Sequence, residues 1–215
     1  MMHRTQLALS DPAEWLGDWH PLAEQLGSAD GLLEFGSVSS LLRLPPVRDL
    51  ASLRKFLEDY QSQILLAHEL PVIQRAHGHA ARQEVRELVA LDRRLAEEPI
   101  LQNFASASRR IGRVQLQKLR PLRDQRLVQR YLQAVETGQA HGWHTLVYGV
   151  TLAIYSLPLH QGLLGYAHQI TIGFIYSAAK MLEFSEHQCR DLFDELSGGL
   201  PASVQALLEP VRAGE

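Results

Sequence analysis

Cysteine is almost absent from this chain: Cys189 is the only one in 215 residues. A single thiol excludes a disulfide framework and a thiolate zinc site, and it fits a reducing cytoplasm. Aromatic residues make up only 7%, and the most basic stretch lacks the interleaved aromatics of a nucleic-acid platform. Lysine is scarce, with Lys55, Lys118 and Lys180 against 18 arginines. The formal charge of −3 supplies no global attraction to nucleic acid or an anionic membrane. Uninterrupted apolar runs are missing too. The most apolar region, 145–182, is broken by Pro158, His160, Gln161, His168 and Gln169, so it reads as buried helices rather than membrane spans. The first residues, M-M-H-R-T-Q-L-A-L-S-D-P, lack the apolar core of a secretory signal.

No segment alternates polar and apolar residues between Asn-Gly or Asp-Gly turns, which leaves no strand candidate. Helical periodicity takes its place nearly everywhere. With 46% apolar residues the chain can bury a full core. The expectation is an all-α, single-domain bundle of about ten helices. Asp11-Pro12 and Ser28-Ala29-Asp30 look like helix starts. Asp49 or Ser52 is placed to cap a helix reaching about His68, whose stripe Leu50, Leu53, Leu57, Tyr60, Ile64 is close to ideal. Pro71 starts the next helix. Val85, Leu88, Val89, Leu91 and Leu95 belong to another, and further helices are expected at 99–120, 124–136, 143–156, 159–182 and 185–197. Ser185-x-x-Gln188 matches a capping box. A short helix follows Pro201, and Gly138 and Gly142 bracket a loop.

The segment S-A-S-R-R-I-G-R-V-Q-L-Q, 106–117, sets three arginines around a glycine inside a helix. At 100° per residue, Arg109, Arg113 and Arg120 fall on one line with Arg110 beside them. Ile100, Phe104, Ala107, Ile111 and Val114 form one apolar stripe. Leu101, Ala105, Gly112, Leu116 and Leu119 form a second. The helix should therefore lie deep, with Gly112 inward for close backbone approach and the arginines outward. Gly149, Gly165 and Gly173 read as further close-packing positions.

Residues 99–135 hold eight basic residues against Asp124 alone, while 183–215 hold seven acids against Arg190 and Arg212. The two regions pair within the fold, or the basic face (99–135) meets an acidic protein; nucleic acid is the third reading. Histidine clusters offer His77, His79, His141 and His144 as candidate metal ligands. No H-E-x-x-H pattern completes them, so His144 and His168 are read as interior residues and His77 and His79 as solvated. No G-x-S-x-G elbow or phosphate loop is present. A non-catalytic scaffold or binding module follows.

In order along the chain stand V-R-D-L-A-S-L-R-K-F-L-E-D-Y (47–60), H-E-L-P-V-I-Q-R-A-H (68–77), L-V-A-L-D-R-R-L (88–95), A-S-A-S-R-R-I-G-R-V-Q-L (105–116), H-T-L-V-Y-G-V-T-L-A-I-Y-S-L-P-L-H-Q-G-L-L-G-Y (144–166) and S-A-A-K-M-L (177–182). Together they resemble the urease accessory protein F (UreF) family over roughly 47–208. The resemblance implies an all-α, dimeric, cytoplasmic protein with no catalysis and no cofactor of its own. It implies assembly with urease accessory protein D/H, the GTPase urease accessory protein G and apo-urease, in nickel insertion with GTPase modulation, and no nucleic-acid or membrane partner. Arg109, Arg110, Gly112 and Arg113 match its signature helix, which packs the dimer or meets a partner; Arg120 joins them as a partner-binding candidate. The family's Pro-x-Gly-Gly-Phe-x-x-Ser-x-Gly-Leu-Glu stretch corresponds to G-L-L-E-F-G-S-V-S-S-L-L (31–42). Phe35, a further partner-binding candidate, and Leu41 match it; the glycine pair and the glutamate after leucine do not. The domain expectation is a partly helical segment at 1–30, a UreF-like domain at 31–208 and a tail at 209–215. The alternative is a divergent regulatory module using the basic face.

Overall fold

The computed structural model describes residues 42–209. Among them every regular element is helical and no strand forms. The order is α1 (Leu50–Tyr60), a π-helical segment (Gln61–Glu69), α2 (Leu70–Ala81), α3 (Val85–Leu95), a 3-10 turn (Pro99–Phe104), α4 (Ala105–Lys118), α5 (Arg126–Glu136), α6 (His144–Ile154), α7 (Leu159–Leu182), α8 (Glu186–Ser197) and α9 (Leu200–Leu208). The all-α class holds, but about ten helices is an overcount: the described residues form seven rods. Residues 50–81 run unbroken, the 3-10 turn feeds straight into α4, and only Gly198-Gly199 parts α8 from α9. The helix starts expected at Asp11 and Ser28, the segment 1–30, Phe35 and nearly all of 209–215 lie outside the described residues.

Asp49 caps α1 as expected. Its carboxylate accepts from the Ser52 amide at 2.8 Å while the Ser52 hydroxyl accepts from the Asp49 amide at 3.0 Å. The buried face of α1 carries Leu53, Phe56, Leu57 and Tyr60. Pro71 lies in the first turn of α2, as expected, but no break in the helical backbone precedes it. A proline inside a helix has no amide to donate and its ring crowds the carbonyl four residues back. Here the preceding turns widen to π geometry, and the Leu70 amide donates to Leu65 five residues back. Helix continuity survives, and the extra residue per turn points Glu69 into the protein, where it is 3% exposed. The Tyr60 hydroxyl donates to it at 2.8 Å.

The centre of the bundle is the pair α2 and α6. Gly149 on α6 lets the helices approach this closely: a Cβ there would meet the Ile73 carbonyl oxygen at 2.5 Å and the Ala76 Cβ at 2.9 Å. α7 lies against α2, α1 and α6 and brings Phe174 edge-on to Phe56 and Tyr60, with centroids 5.8 and 4.8 Å apart. Each such pair adds about 0.5–1.5 kcal/mol beyond its buried area. α3 packs on α2 and α5, α4 on α5 and α6, and α8 and α9 on α7. Gly173 is buried within α7.

Gly165 departs from the close-packing expectation, since a Cβ there would meet nothing within 4 Å. Glycine in a helix interior carries only its backbone-entropy penalty when nothing needs the space. Gly165→Ala should therefore raise unfolding stability by about 0.5–1 kcal/mol. Urea denaturation of the two proteins would show a later midpoint for the variant, with an unchanged slope.

Candidate interaction surface

The arginine helix α4 meets the loop 137–143, and the local sequence explains why the loop folds as it does. Gly138 and Gly142 adopt φ of +74° and +75°, a region that favours glycine. Gly142 is also confined by Arg113 Cγ and Val135 Cγ1, at 3.2 and 3.3 Å from the position of an added Cβ. Trp143 then turns to extended geometry as the N-cap of α6. It offers no capping side chain, so a neighbouring helix satisfies part of the helix end: the Ser108 hydroxyl of α4 accepts from the His144 amide at 3.3 Å.

Gly112 lies directly against this loop. A Cβ there would stand 2.2 Å from the Gly142 carbonyl oxygen and 2.7 Å from the His144 nitrogen. The contact draws in two of the arginines. The Arg109 guanidinium lies 4.6 Å from the centre of the buried Trp143 ring, a cation–π stack. Arg113 Nε donates to the His141 carbonyl at 3.0 Å. Arg120 pairs with Glu136 at the end of α5. Three arginines of the expected outward strip thus hold the molecule's own loop and helix end.

The outer surface of α4 is Ser106, Arg110, Arg113, Val114, Gln117 and Lys118, all exposed. Val114 corrects the wheel. It was expected inward, yet it is 49% exposed. Ser108, 3% exposed, sits inward between the two apolar stripes, facing the loop. Among the described residues the acidic α8 has an ion-pair partner outside the basic stretch. α8 packs on α7 and α1, and its Glu195 is met by Arg54 of α1 at 2.9 Å rather than by the basic stretch.

Asp92 of α3 is the buried residue that organises this loop, and the sequence analysis did not single it out. It is 0% exposed. One carboxylate oxygen accepts from the His141 amide at 2.5 Å; the other accepts from the Gly142 amide at 2.9 Å and the Tyr131 hydroxyl at 2.6 Å. Burial, and then the adjacent Asp92 charge, push the Tyr131 phenol well above its ordinary value. From the exposed side Arg93 Nε donates to the Gln139 carbonyl at 2.8 Å. A signal for Asp92 does exist: 85, 88, 92 and 95 lie on one face of α3, so an acid occupies its apolar stripe.

The histidines do not converge. Among the described residues no three His, Cys, Asp or Glu side chains group as a metal site would require. His77 is half-buried, and burial lowers its pKa. His79 is not simply solvated, as its Nδ1 is 2.8 Å from Glu84 Oε2. Arg82 also grips Glu84 through two nitrogens at 2.9 Å. These bonds, the Arg82 contact foremost, hold the Glu84 carboxyl down at about 2. His141 is clamped through its backbone. His144 is buried against Tyr148 and Tyr166, with ring centroids 6.4 and 5.8 Å away. His168 is half-buried and packs edge-on to Phe193 at 5.6 Å.

The void beside Glu69, Ser108, Trp143 and His144 measures about 10 Å³, the scale of one water rather than a substrate. Burial raises the Cys189 thiol, which keeps it protonated and poorly nucleophilic. No helix among the described residues is long and apolar enough to cross a membrane. What α4 and its loop offer is a rigid, positively charged surface with one exposed apolar side chain, suited to protein contact.

No curated protein matches the chain. A family model described as UreF matches residues 47–197, which run from just before α1 to the end of α8 and include α4, Asp92 and the clamped loop. The chain belongs to the UreF family, whose members are urease accessory proteins.

Proposed function

We propose that this urease accessory protein works as a non-catalytic scaffold. In this reading it assembles, as a homodimer in the cytoplasm, with urease accessory protein D/H and the GTPase urease accessory protein G. The assembly delivers nickel to apo-urease, and this chain modulates the GTPase without holding a cofactor of its own. Residues 31–208 act as one UreF-like domain. The family match carries the proposal, and α4 supplies its surface.

Arg109, Arg113 and Arg120 have work inside the molecule, so substituting them confounds binding with loop integrity. Val114, 49% exposed, is the better probe, and the exposed Arg110 beside it is reversed with it to repel an acidic partner. Arg110→Glu with Val114→Asp should leave far-UV circular dichroism unchanged, since surface substitutions usually shift stability within about 0.5 kcal/mol. Co-purification with the co-expressed accessory partners should fall roughly tenfold, the effect of removing about 1.4 kcal/mol of contact. Assembly at the wild-type level would remove the outer face of α4 from the partner interface.

A further inference from the structure

A second surface lies on the other side of the clamped loop. α3 and α5 leave between them an open groove of about 600 Å³ that ends at Gln139. Its walls follow helical spacing, with 85, 86, 89, 90 and 93 on α3 and 130, 133 and 134 on α5, followed by Thr137 at the C-cap of α5. Val85, Val89 and Ala134 give it an apolar floor, and Arg86, Arg93 and Arg130 stand around it. No carboxylate lines it. Arg93 spends only its Nε on the Gln139 carbonyl. Arg86 and Arg130 are exposed and make no ion pair among the described residues.

We infer that this groove binds an acidic amphipathic helix of a partner protein. Three arginines around an apolar strip without a counter-charge are complementary to a helix with an apolar row flanked by carboxylates. The α3 wall spans eight residue steps, about 12 Å, which matches anchors at i, i+3 or i+4 and i+7 of an incoming helix. A nucleic acid would use the arginines but leave the apolar floor unfilled, and no aromatic residue lines the groove for base stacking. This surface is separate from the outer face of α4 and does not depend on the role proposed for it.

The test uses the full-length protein and a fluorescein-labelled amphipathic Leu/Glu peptide, read by fluorescence anisotropy. Saturable binding that weakens with salt is expected, while a scrambled peptide of the same composition and a Leu/Lys peptide bind far less. Arg86→Glu with Arg130→Glu should weaken the Leu/Glu peptide roughly tenfold, the sum of two well-placed surface ion pairs, and should improve binding of the Leu/Lys peptide. Arg86→Gln with Arg130→Gln, a milder change, gives the same direction if the double reversal does not fold. Absent saturation, equal binding of the scrambled peptide, or indifference to both variants overturns the inference. So does a fall in oligomeric mass of the double variant in light scattering, which would assign the groove to the acidic α8 of a second copy.

Discussion

Gly112→Ala should lower unfolding stability by about 3 kcal/mol, the upper end of overpacking costs, and depress the melting temperature by roughly 6–12 °C for a chain of this length. The reason is the nature of the atoms in the way. The added Cβ would fall 2.2 Å from the Gly142 carbonyl oxygen and 2.7 Å from both the Trp143 carbonyl carbon and the His144 nitrogen. All three are backbone, and they belong to a loop that Asp92, Arg93 and Arg113 hold in place. No side chain can rotate away. Relief requires α4 to withdraw from the loop, which would pull Arg109 off Trp143. Thermal unfolding followed by circular dichroism measures the loss, and tryptophan fluorescence reports the ring environment. Gly162→Ala is the internal comparison. Its Cβ would meet Leu152 Cδ1 at 2.5 Å, but a leucine methyl can move by a rotamer change, so the cost is smaller. Equal melting temperatures for wild type and Gly112→Ala would show that the helix and loop are not in contact as described.

Asp92→Ala should be the more damaging single change, costing about 3–5 kcal/mol. The substitution leaves the His141 amide, the Gly142 amide and the Tyr131 hydroxyl without their acceptor, in a place where Asp92 itself is 0% exposed. An unsatisfied buried polar group costs about 1–3 kcal/mol, and three are released at once. Tyr131→Phe removes only one donor and keeps the ring, so about 1 kcal/mol is expected. The ordering in denaturant unfolding, Asp92→Ala well beyond Tyr131→Phe, is the check. Hydrogen exchange supplies the local reading: the 141 and 142 amides should lose protection in Asp92→Ala and keep it in Tyr131→Phe. If Asp92→Ala costs no more than Tyr131→Phe, the carboxylate is not what holds the loop.

Local rules carried most of the helical outline. A capping box needs only residues three apart, so Ser185/Gln188 was readable directly; for α1 the sequence offered Asp49 or Ser52 as the cap, and the structure joins the two in a second box. α7 was expected at 159–182 and occupies Leu159–Leu182, because Pro158 and the left-handed Glu183 at φ 55° bound a long apolar run. The continuity of 50–81 was not readable. Proline ordinarily breaks a helix, and whether the chain breaks or widens into π turns depends on tertiary packing, which here sets the buried Glu69 against the Tyr60 hydroxyl.

The arginine helix divides along the same line. Periodicity put Gly112 on an inward face and Arg110 and Arg113 on an outward one, because both follow from the 100° step of a single helix. It could not say that Arg109 stacks on Trp143 or that Arg120 pairs with Glu136, since those partners lie 34 and 16 residues away and nothing local encodes the meeting. Val114 failed for a related reason: an apolar residue at the edge of a stripe is buried only if a neighbour comes to cover it, and none of the described elements does. Composition, helix periodicity and the order of the motifs were enough for the all-α class and the family, as these are properties of the chain taken segment by segment. Which arginines hold the molecule's own loop was decided by how α3, α4 and the 137–143 loop pack. A guanidinium that holds a carbonyl or an aromatic ring, as Arg113 and Arg109 do, commits part of its contacts to partners that no single-helix pattern names.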